Sequence, residues 1–302
     1  MKHIWEVFWR FLALGCISFG GPAAHISYFQ RTFVQKLKWL DDDAYAKLIS
    51  LSQFLPGPGS SQVGFAIGLR RAGLAGGCAA FVGFTFPSFL LMYLLATASI
   101  GDDSNGILAG VISGLKLLAV VVVADAVLTM FQTFCKEKRA IGLAVITAIL
   151  LLLLPGLWTQ IAALAGAAII GIFFGEPVTK HQVEQKAFSI IPLVIFLLLF
   201  AGLPLLAFAS TNIALLADFF QAGSLVFGGG HVVLPLLQQT VGAAITTDQF
   251  LMGYAGAQAV PGPMFTFATY LGAELMPSAP ISGAIIATVG IFLPGFLLVM
   301  SF

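Results

Sequence analysis

Long apolar runs alternate along this chain with short polar or basic interruptions. A helix needs about 20 apolar residues to cross a bilayer, and the runs over 73–99, 106–134, 188–208 and 281–302 meet that length. Two shorter runs, 141–154 and 158–174, flank Pro155-Gly156, a helix-stop signal. The first is short for a full span, so this hairpin is expected to tilt or to lie partly in the interface. Residues 5–19 and 23–37 form a more polar opening pair. The pattern predicts an all-α, polytopic membrane protein.

Composition removes the alternatives. Of 302 residues 59% are hydrophobic and 9% charged, with a mean hydropathy of +1.00, whereas a soluble domain carries about 25% charge. Disorder needs low hydrophobicity and high charge, and the 33 Gly follow no short fibrous period. No basic stripe marks a nucleic-acid surface; the expected surroundings are a lipid bilayer. Cys16, Cys78 and Cys135 are widely spaced and include no C-x-x-C. They read as small buried hydrophobes rather than a disulfide framework or a zinc site. With Glu6, large aromatics and no small-residue cleavage site, residues 1–9 are not a signal peptide.

Charge is unevenly distributed. All 14 Lys and Arg lie between Lys2 and Lys186, and beyond Lys186 the only charges are Asp218, Asp248 and Glu274. Basic residues in short loops mark the cytoplasmic side. Arg70-Arg71, the run from Lys136 to Arg139 and the run from Lys180 to Lys186 are therefore expected inside, as is the N-terminus with Lys2 and Arg10. The base-free Asp102-Asp103-Ser104-Asn105 loop is expected outside.

Three sequence blocks occur twice. Phe19-Gly20-Gly21-Pro22 returns as Phe227-Gly228-Gly229-Gly230, and Gln53-x-x-Pro56-Gly57-Pro58 as Gln258-x-x-Pro261-Gly262-Pro263. Phe86-Pro87-Ser88-Phe89-Leu90-Leu91 returns as Leu293-Pro294-Gly295-Phe296-Leu297-Leu298. The offsets are 208, 205 and 207 residues, in the same order. Such duplication is a transporter signature. The expected organisation is a first repeat over 1–186 and a second over 187–302. The span over 188–208 delivers the second repeat to the outside, so the two repeats are expected to be inverted. Inversion also accounts for the missing bases, because loops that are cytoplasmic in the first copy face outward in the second. The second copy stops at Phe302, so it reads as C-terminally short relative to the first.

The repeated Pro-Gly-Pro carries the candidate chemistry. It separates short helical stretches, 43–54 from 60–70 and 253–259 from 265–274. Each is about half a membrane long or less. Proline lacks the amide hydrogen that continues a helix and glycine permits unusual dihedrals, so each segment reads as a broken or re-entrant helix pair. Exposed backbone at membrane depth is tolerated only inside protein or against a wet cavity. The helix after such a break presents free amides and its positive dipole end, a ready anion site. Ser60, Ser61 and Gln62 add donors in the first copy and Thr266 in the second, while Gln53 and Gln258 stand just before the breaks. Gly20-Gly21 and Gly228-Gly229-Gly230 allow close approach of backbone or oxyanion. Two copies meeting head to head would build a midplane site with donors from both.

Several ionisable residues keep two readings. Lys116 and Asp125 fall inside the 106–134 run, where charge is expensive and marks function. Lys116 either snorkels outward or lines an anion path; Asp125 is a proton carrier, a fixed partner or an interface residue. Arg70 with Arg71 is a cytoplasmic anchor or an anion-attracting vestibule. His25 and His231 come after the Phe-Gly-Gly elements at unequal distances and either titrate near neutral pH or are packed and hydrogen-bonded.

Taken together, Phe-Gly-Gly-Pro-x-x-His, Phe-Gly-Gly-Gly-His and the two Gln-x-x-Pro-Gly-Pro segments resemble the chromate ion transporter family over nearly the whole chain. That resemblance implies a plasma-membrane protein that moves chromate outward and confers chromate resistance, with sulfate as a structural analogue. The residues alone reach only as far as a small inorganic oxyanion, and a homodimer is left open. No P-loop is present, so ATP is not the direct energy source. A passive oxyanion channel, or a transporter of a different small anion, would carry the same broken helices. An embedded redox enzyme is disfavoured, because four scattered His and three scattered Cys offer no haem, flavin or metal ligation. No cofactor or metal is expected.

Overall fold

A computed structural model describes residues 1–99, 135–154, 157–174, 189–227 and 233–302, with scattered positions between 110 and 132. Lys116, Asp125, the Asp102–Asn105 loop, the Lys180–Lys186 loop and the segment Gly228-Gly229-Gly230-His231 lie outside the described residues. The described residues are helical, with no strand among them. They form two units, Met1–Ala119 with Ala187–Phe302, and Val120–Lys186.

In the larger unit, α1 (Lys2–Ile17) buries one stripe, Val7, Phe11, Leu14 and Gly15. A glycine turn leads to α2 (Gly21–Phe29), which runs into a π-helical turn, Gln30–Lys36. Asp41 caps α3 (Asp42–Phe54) by accepting the Ala44 amide at 2.7 Å. After Pro56-Gly57-Pro58 comes α4 (Gly59–Ser99), whose helix is interrupted at Ala72 and Gly73. The interruption folds its first segment back on its second, and the two touch backbone to backbone at Gly68 and Gly76.

The smaller unit pairs α5 (Lys138–Leu153) with α6 (Leu157–Phe174). No side chain of α5 is buried, as expected of an apolar helix facing lipid.

The larger unit resumes with α7 (Ile190–Leu206) and α8 (Thr211–Ser224), the latter capped by Ser210. Next come α9 (Val233–Val241) and α10 (Thr247–Ala259), which opens with a Thr246–Gln249 capping box. Pro261-Gly262-Pro263 leads through a 3₁₀ turn (Met264–Thr266) into α11 (Phe267–Leu275) and α12 (Pro280–Ser301).

Small residues decide where these helices cross. α1 lies on the second segment of α4, where a Cβ on Gly83 would stand 2.6 Å from the Phe8 carbonyl. α8 lies on α12, where a Cβ on Gly290 would stand 2.9 Å from the Phe219 Cβ. α11 meets α12 backbone to backbone at Gly272 and Gly283, as the α4 segments meet at Gly68 and Gly76. Such glycines let helices approach to a separation that any side chain would prevent. Aromatic rings fill the space between α4 and α12: Phe65 stacks on Phe296 at 4.4 Å, and Phe81 meets Phe292 at 5.0 Å.

Among the described residues three helices are long and apolar enough to cross a membrane, Gly59–Ala98, Ile190–Ala209 and Pro280–Ser301. One expectation fails: Cys16 and Cys78 are exposed and Cys135 is half-buried. An apolar run does not say which of its faces meets lipid, and Cys16 and Cys78 lie on outward faces.

Candidate functional site: two Pro-Gly-Pro turns

Each turn takes the same local path. α3 ends at Leu55 in extended conformation (φ −79°, ψ 140°), as α10 ends at Val260 (φ −87°, ψ 149°). The central glycines then take positive φ, +121° at Gly57 and +99° at Gly262, a region that side-chain-bearing residues avoid. Proline on either side removes the neighbouring amide donors, so each turn has one N–H to place.

Both N–H groups reach across the molecule. Gly57 donates to the Val226 carbonyl at 2.7 Å, and Gly262 donates to the Ser18 carbonyl at 2.9 Å. Ser18 and Val226 are the residues immediately before Phe19-Gly20-Gly21 and Phe227-Gly228-Gly229. Each break is therefore tied to the Phe-Gly-Gly entry of the other half of the chain. The third repeated block completes the exchange. A Cβ on Gly57 would stand 2.9 Å from Gly295 Cα, and one on Gly262 would stand 2.9 Å from Ser88 Oγ. Sequence reasoning noted this block but assigned it no part; its recurrence was the available signal.

The two turns open into different helix starts. Pro58 leads directly into α4, and the first helical bond is Gln62 N–H to the Pro58 carbonyl at 2.9 Å. Gly59, Ser60 and Ser61 form the first turn, whose amides have no partner within the helix. Ser60, Ser61 and Gln62 are all buried. Gln62 Nε2 donates to the Pro56 carbonyl at 2.9 Å and to Gly295 at 3.2 Å. Ser61 Oγ, Gln62 Oε1, Ser18 Oγ and Thr85 Oγ1 are buried without a hydrogen-bond partner among the described residues. Unfilled buried acceptors and hydroxyls are uncommon.

His25, 1% exposed, joins this cluster. Its Nε2 lies 3.3 Å from the Ser18 carbonyl and its Nδ1 lies 3.2 Å from Ser60 Oγ. A carbonyl only accepts, so Nε2 carries the hydrogen and neutral Nδ1 accepts from the Ser60 hydroxyl. The ring also packs edge-on against Phe84 at 5.1 Å. The Ser18 carbonyl thus receives both His25 and Gly262. Sequence reasoning overlooked Ser18, Thr85 and Val226 because nothing local marks them.

Beyond Pro263 the chain closes its own donors. Thr266 N–H and Oγ1 both donate to the Pro263 carbonyl, at 3.0 and 2.8 Å. Its hydroxyl proton is spent there, which departs from the expectation that Thr266 supplies a donor to a shared site. The neighbours Met264, Phe265 and Phe267 are buried and apolar. Gln258 Nε2 donates to the Tyr254 hydroxyl at 3.0 Å and lies 2.7 Å from Met264 Sδ.

Other expected residues lie apart from this cluster. Gln53 is exposed, as is Gly20, while Gly21 is partly buried. Arg70 is exposed, and Arg71 pairs with Glu6 at 3.2 Å and lies 4.8 Å over the Trp39 ring. That pairing gives the basic doublet an anchoring contact at the end of the α4 first segment.

The sequence model of the chromate transporter family matches residues 5–172 and 213–302. A chromate transport protein of Pseudomonas aeruginosa is 28% identical over 306 residues, covering 96% of this chain and 70% of that protein. One from Cupriavidus metallidurans is 25% identical, covering 95% of this chain and 71% of that protein. An uncharacterized transporter of Methanocaldococcus jannaschii is 26% identical, covering 98% of this chain and 75% of that protein. No solved structure matches the chain. With most of its length matched by that family and several apolar helices of membrane-crossing length, this multi-pass membrane protein belongs to the chromate transporter family.

Proposed function

We propose that the chain is a secondary transporter that carries chromate, or the analogous oxyanion sulfate, outward across the plasma membrane. The anion sits at the first turn of α4, where the Pro56-Gly57-Pro58 break exposes helix-end amides beside Ser60 and Ser61. The observation that carries the reading is this turn, buried, free of charge and holding the unpartnered Ser61 hydroxyl. Backbone amides at a helix start bind oxyanions without Lys or Arg. The names of the Pseudomonas and Cupriavidus relatives support chromate as the cargo.

The protein is built from two inverted repeats, 1–186 and 187–302, with the N-terminus cytoplasmic. The reciprocal bonds from Gly57 to Val226 and from Gly262 to Ser18 support that reading, because such an exchange is what a two-fold relation produces. Outward movement of a divalent anion from a negative interior is favoured by about 2.3 kcal/mol per charge per 100 mV.

Flux of radiolabelled chromate and sulfate in proteoliposomes tests the proposal. The expected result is saturable transport that speeds up when unlabelled anion is supplied on the far side. Transport without that acceleration points to a passive channel, and no saturable flux of either anion from folded protein overturns the substrate assignment.

A further inference from the structure

We propose that His25 is a proton-binding switch that makes protonation and anion binding at the α4 first turn mutually dependent. The inference rests on the anion site proposed above and gives that site its coupling ion.

The argument is one of hydrogen-bond polarity. In the neutral ring Nε2–H donates to the Ser18 carbonyl, which fixes Nδ1 as an acceptor. Ser60 must then spend its only hydroxyl proton on Nδ1, 3.2 Å away. In that state the hydroxyl on the second residue of α4 has no proton left for an anion. When Nδ1 takes a proton from water, the direction reverses. Nδ1–H donates to Ser60 Oγ, and the Ser60 hydroxyl proton is released to point elsewhere. The first turn then gains a donor beside the Ser61 hydroxyl, already unpartnered, together with a full positive charge one hydrogen bond behind it. One N–H bond forms, no other covalent bond changes, and the Ser18 anchor is kept throughout.

A cation in this buried place is costly without an opposite charge, and among the described residues no carboxylate pairs with His25. Tyr45, on α3, reaches α2 through its hydroxyl on the Ile26 carbonyl at 2.6 Å. Glu6 stands twelve residues before Ser18 along α1, roughly 18 Å at 1.5 Å per residue. Arg70 and Arg71 lie ten and eleven residues beyond Ser60, roughly 15 Å. Cys16 and Cys78 are exposed. The counter-charge for protonated His25 is therefore the bound anion itself. By linkage each raises the affinity of the other. Anion affinity is greatest with the ring protonated and declines as pH rises past its titration.

The switch is tested by chromate binding to the purified full chain in lipid nanodiscs, between about pH 5 and 8, for wild type and His25→Gln. Gln keeps a hydrogen-bonding side chain that cannot titrate, and protonation of chromate itself is common to both proteins. The wild-type to variant affinity ratio is expected to rise on acidification, by up to about tenfold per pH unit for one coupled proton. A ratio that stays constant across the range overturns the switch while leaving the anion site standing. No chromate bound by either folded protein at any pH overturns the anion site, and the switch with it. If His25→Gln does not fold, nitrogen NMR of histidine-labelled wild type decides: chromate added at fixed pH should convert one neutral imidazole to the doubly protonated form. Failure of any imidazole to change refutes the proposal.

Discussion

The turns at Gly57 and Gly262 share a backbone and differ in chemistry. Both reverse the chain between two proline rings with glycine at positive φ, and both give their single N–H to the opposite half of the molecule. After the first, a helix starts at once and holds Ser60, Ser61 and Gln62 in its opening turn. After the second, a 3₁₀ turn satisfies Thr266 internally and surrounds it with Met264, Phe265 and Phe267. The local backbone path recurs, while among the described residues the unpartnered buried polar groups Ser61 Oγ and Gln62 Oε1 follow the first turn and the Thr266 hydroxyl after the second is satisfied. On the proposed two-repeat reading, one turn then serves as scaffold and the other as the anion site.

The largest effect should come from the glycines themselves. Gly57→Ala would force a Cβ at φ +121° and to 2.9 Å from the Gly295 backbone, costing about 3–5 kcal/mol from strain and overlap together. Gly262→Ala meets Ser88 Oγ, the end of a side chain that can rotate, and should cost about 1–3 kcal/mol. Thermal unfolding in one detergent compares them, and equal losses would break the distinction. Next come the glutamines. Gln62→Leu removes donors to Pro56 and Gly295 and should cost about 2–3 kcal/mol, against about 1 kcal/mol for Gln258→Leu. Denaturation of the two variants side by side reads the difference.

Smaller effects on stability should hide a larger split in function. Ser61→Ala is expected to weaken chromate affinity about tenfold with normal abundance, as loss of a hydrogen bond to a charged ligand does. Thr266→Val, which removes a hydroxyl turned to Pro263, should leave affinity where it was. Binding isotherms that place both variants at the same affinity would erase the asymmetry. The smallest change belongs to Glu6→Gln, whose pair with Arg71 is about a third exposed. It should shift stability by about 1 kcal/mol or less, measured in the same melts.

Much of this was legible in the residues. Hydropathy located α7 and α12 to within a few positions, and reading 60–70 and 73–99 as separate stretches matched the interruption in α4. Recurrence of Pro-Gly-Pro exposed both turns. The destination of the turn amides was not legible, since no local pattern names a carbonyl in the other half. Nor was the closure of Thr266 on Pro263, which depends on a 3₁₀ rather than an α start. The π-helical turn at Gln30–Lys36 likewise gave no sign in the sequence. Each feature that escaped was a choice among backbone partners, and composition does not encode that choice directly.

The crossed bonds carry a consequence for how the protein is made. Gln62 and Gly295 stand 233 residues apart in the chain, and Gly57 likewise waits for a carbonyl in the second half. During synthesis the first half enters the membrane well before its partners exist. Contacts so distant in sequence form late, and a half-assembled membrane protein holds polar backbone groups that lipid cannot satisfy. Until the second half arrives, water is the expected partner of the first turn's polar groups. Chains arrested between the two halves should be the ones that quality control removes.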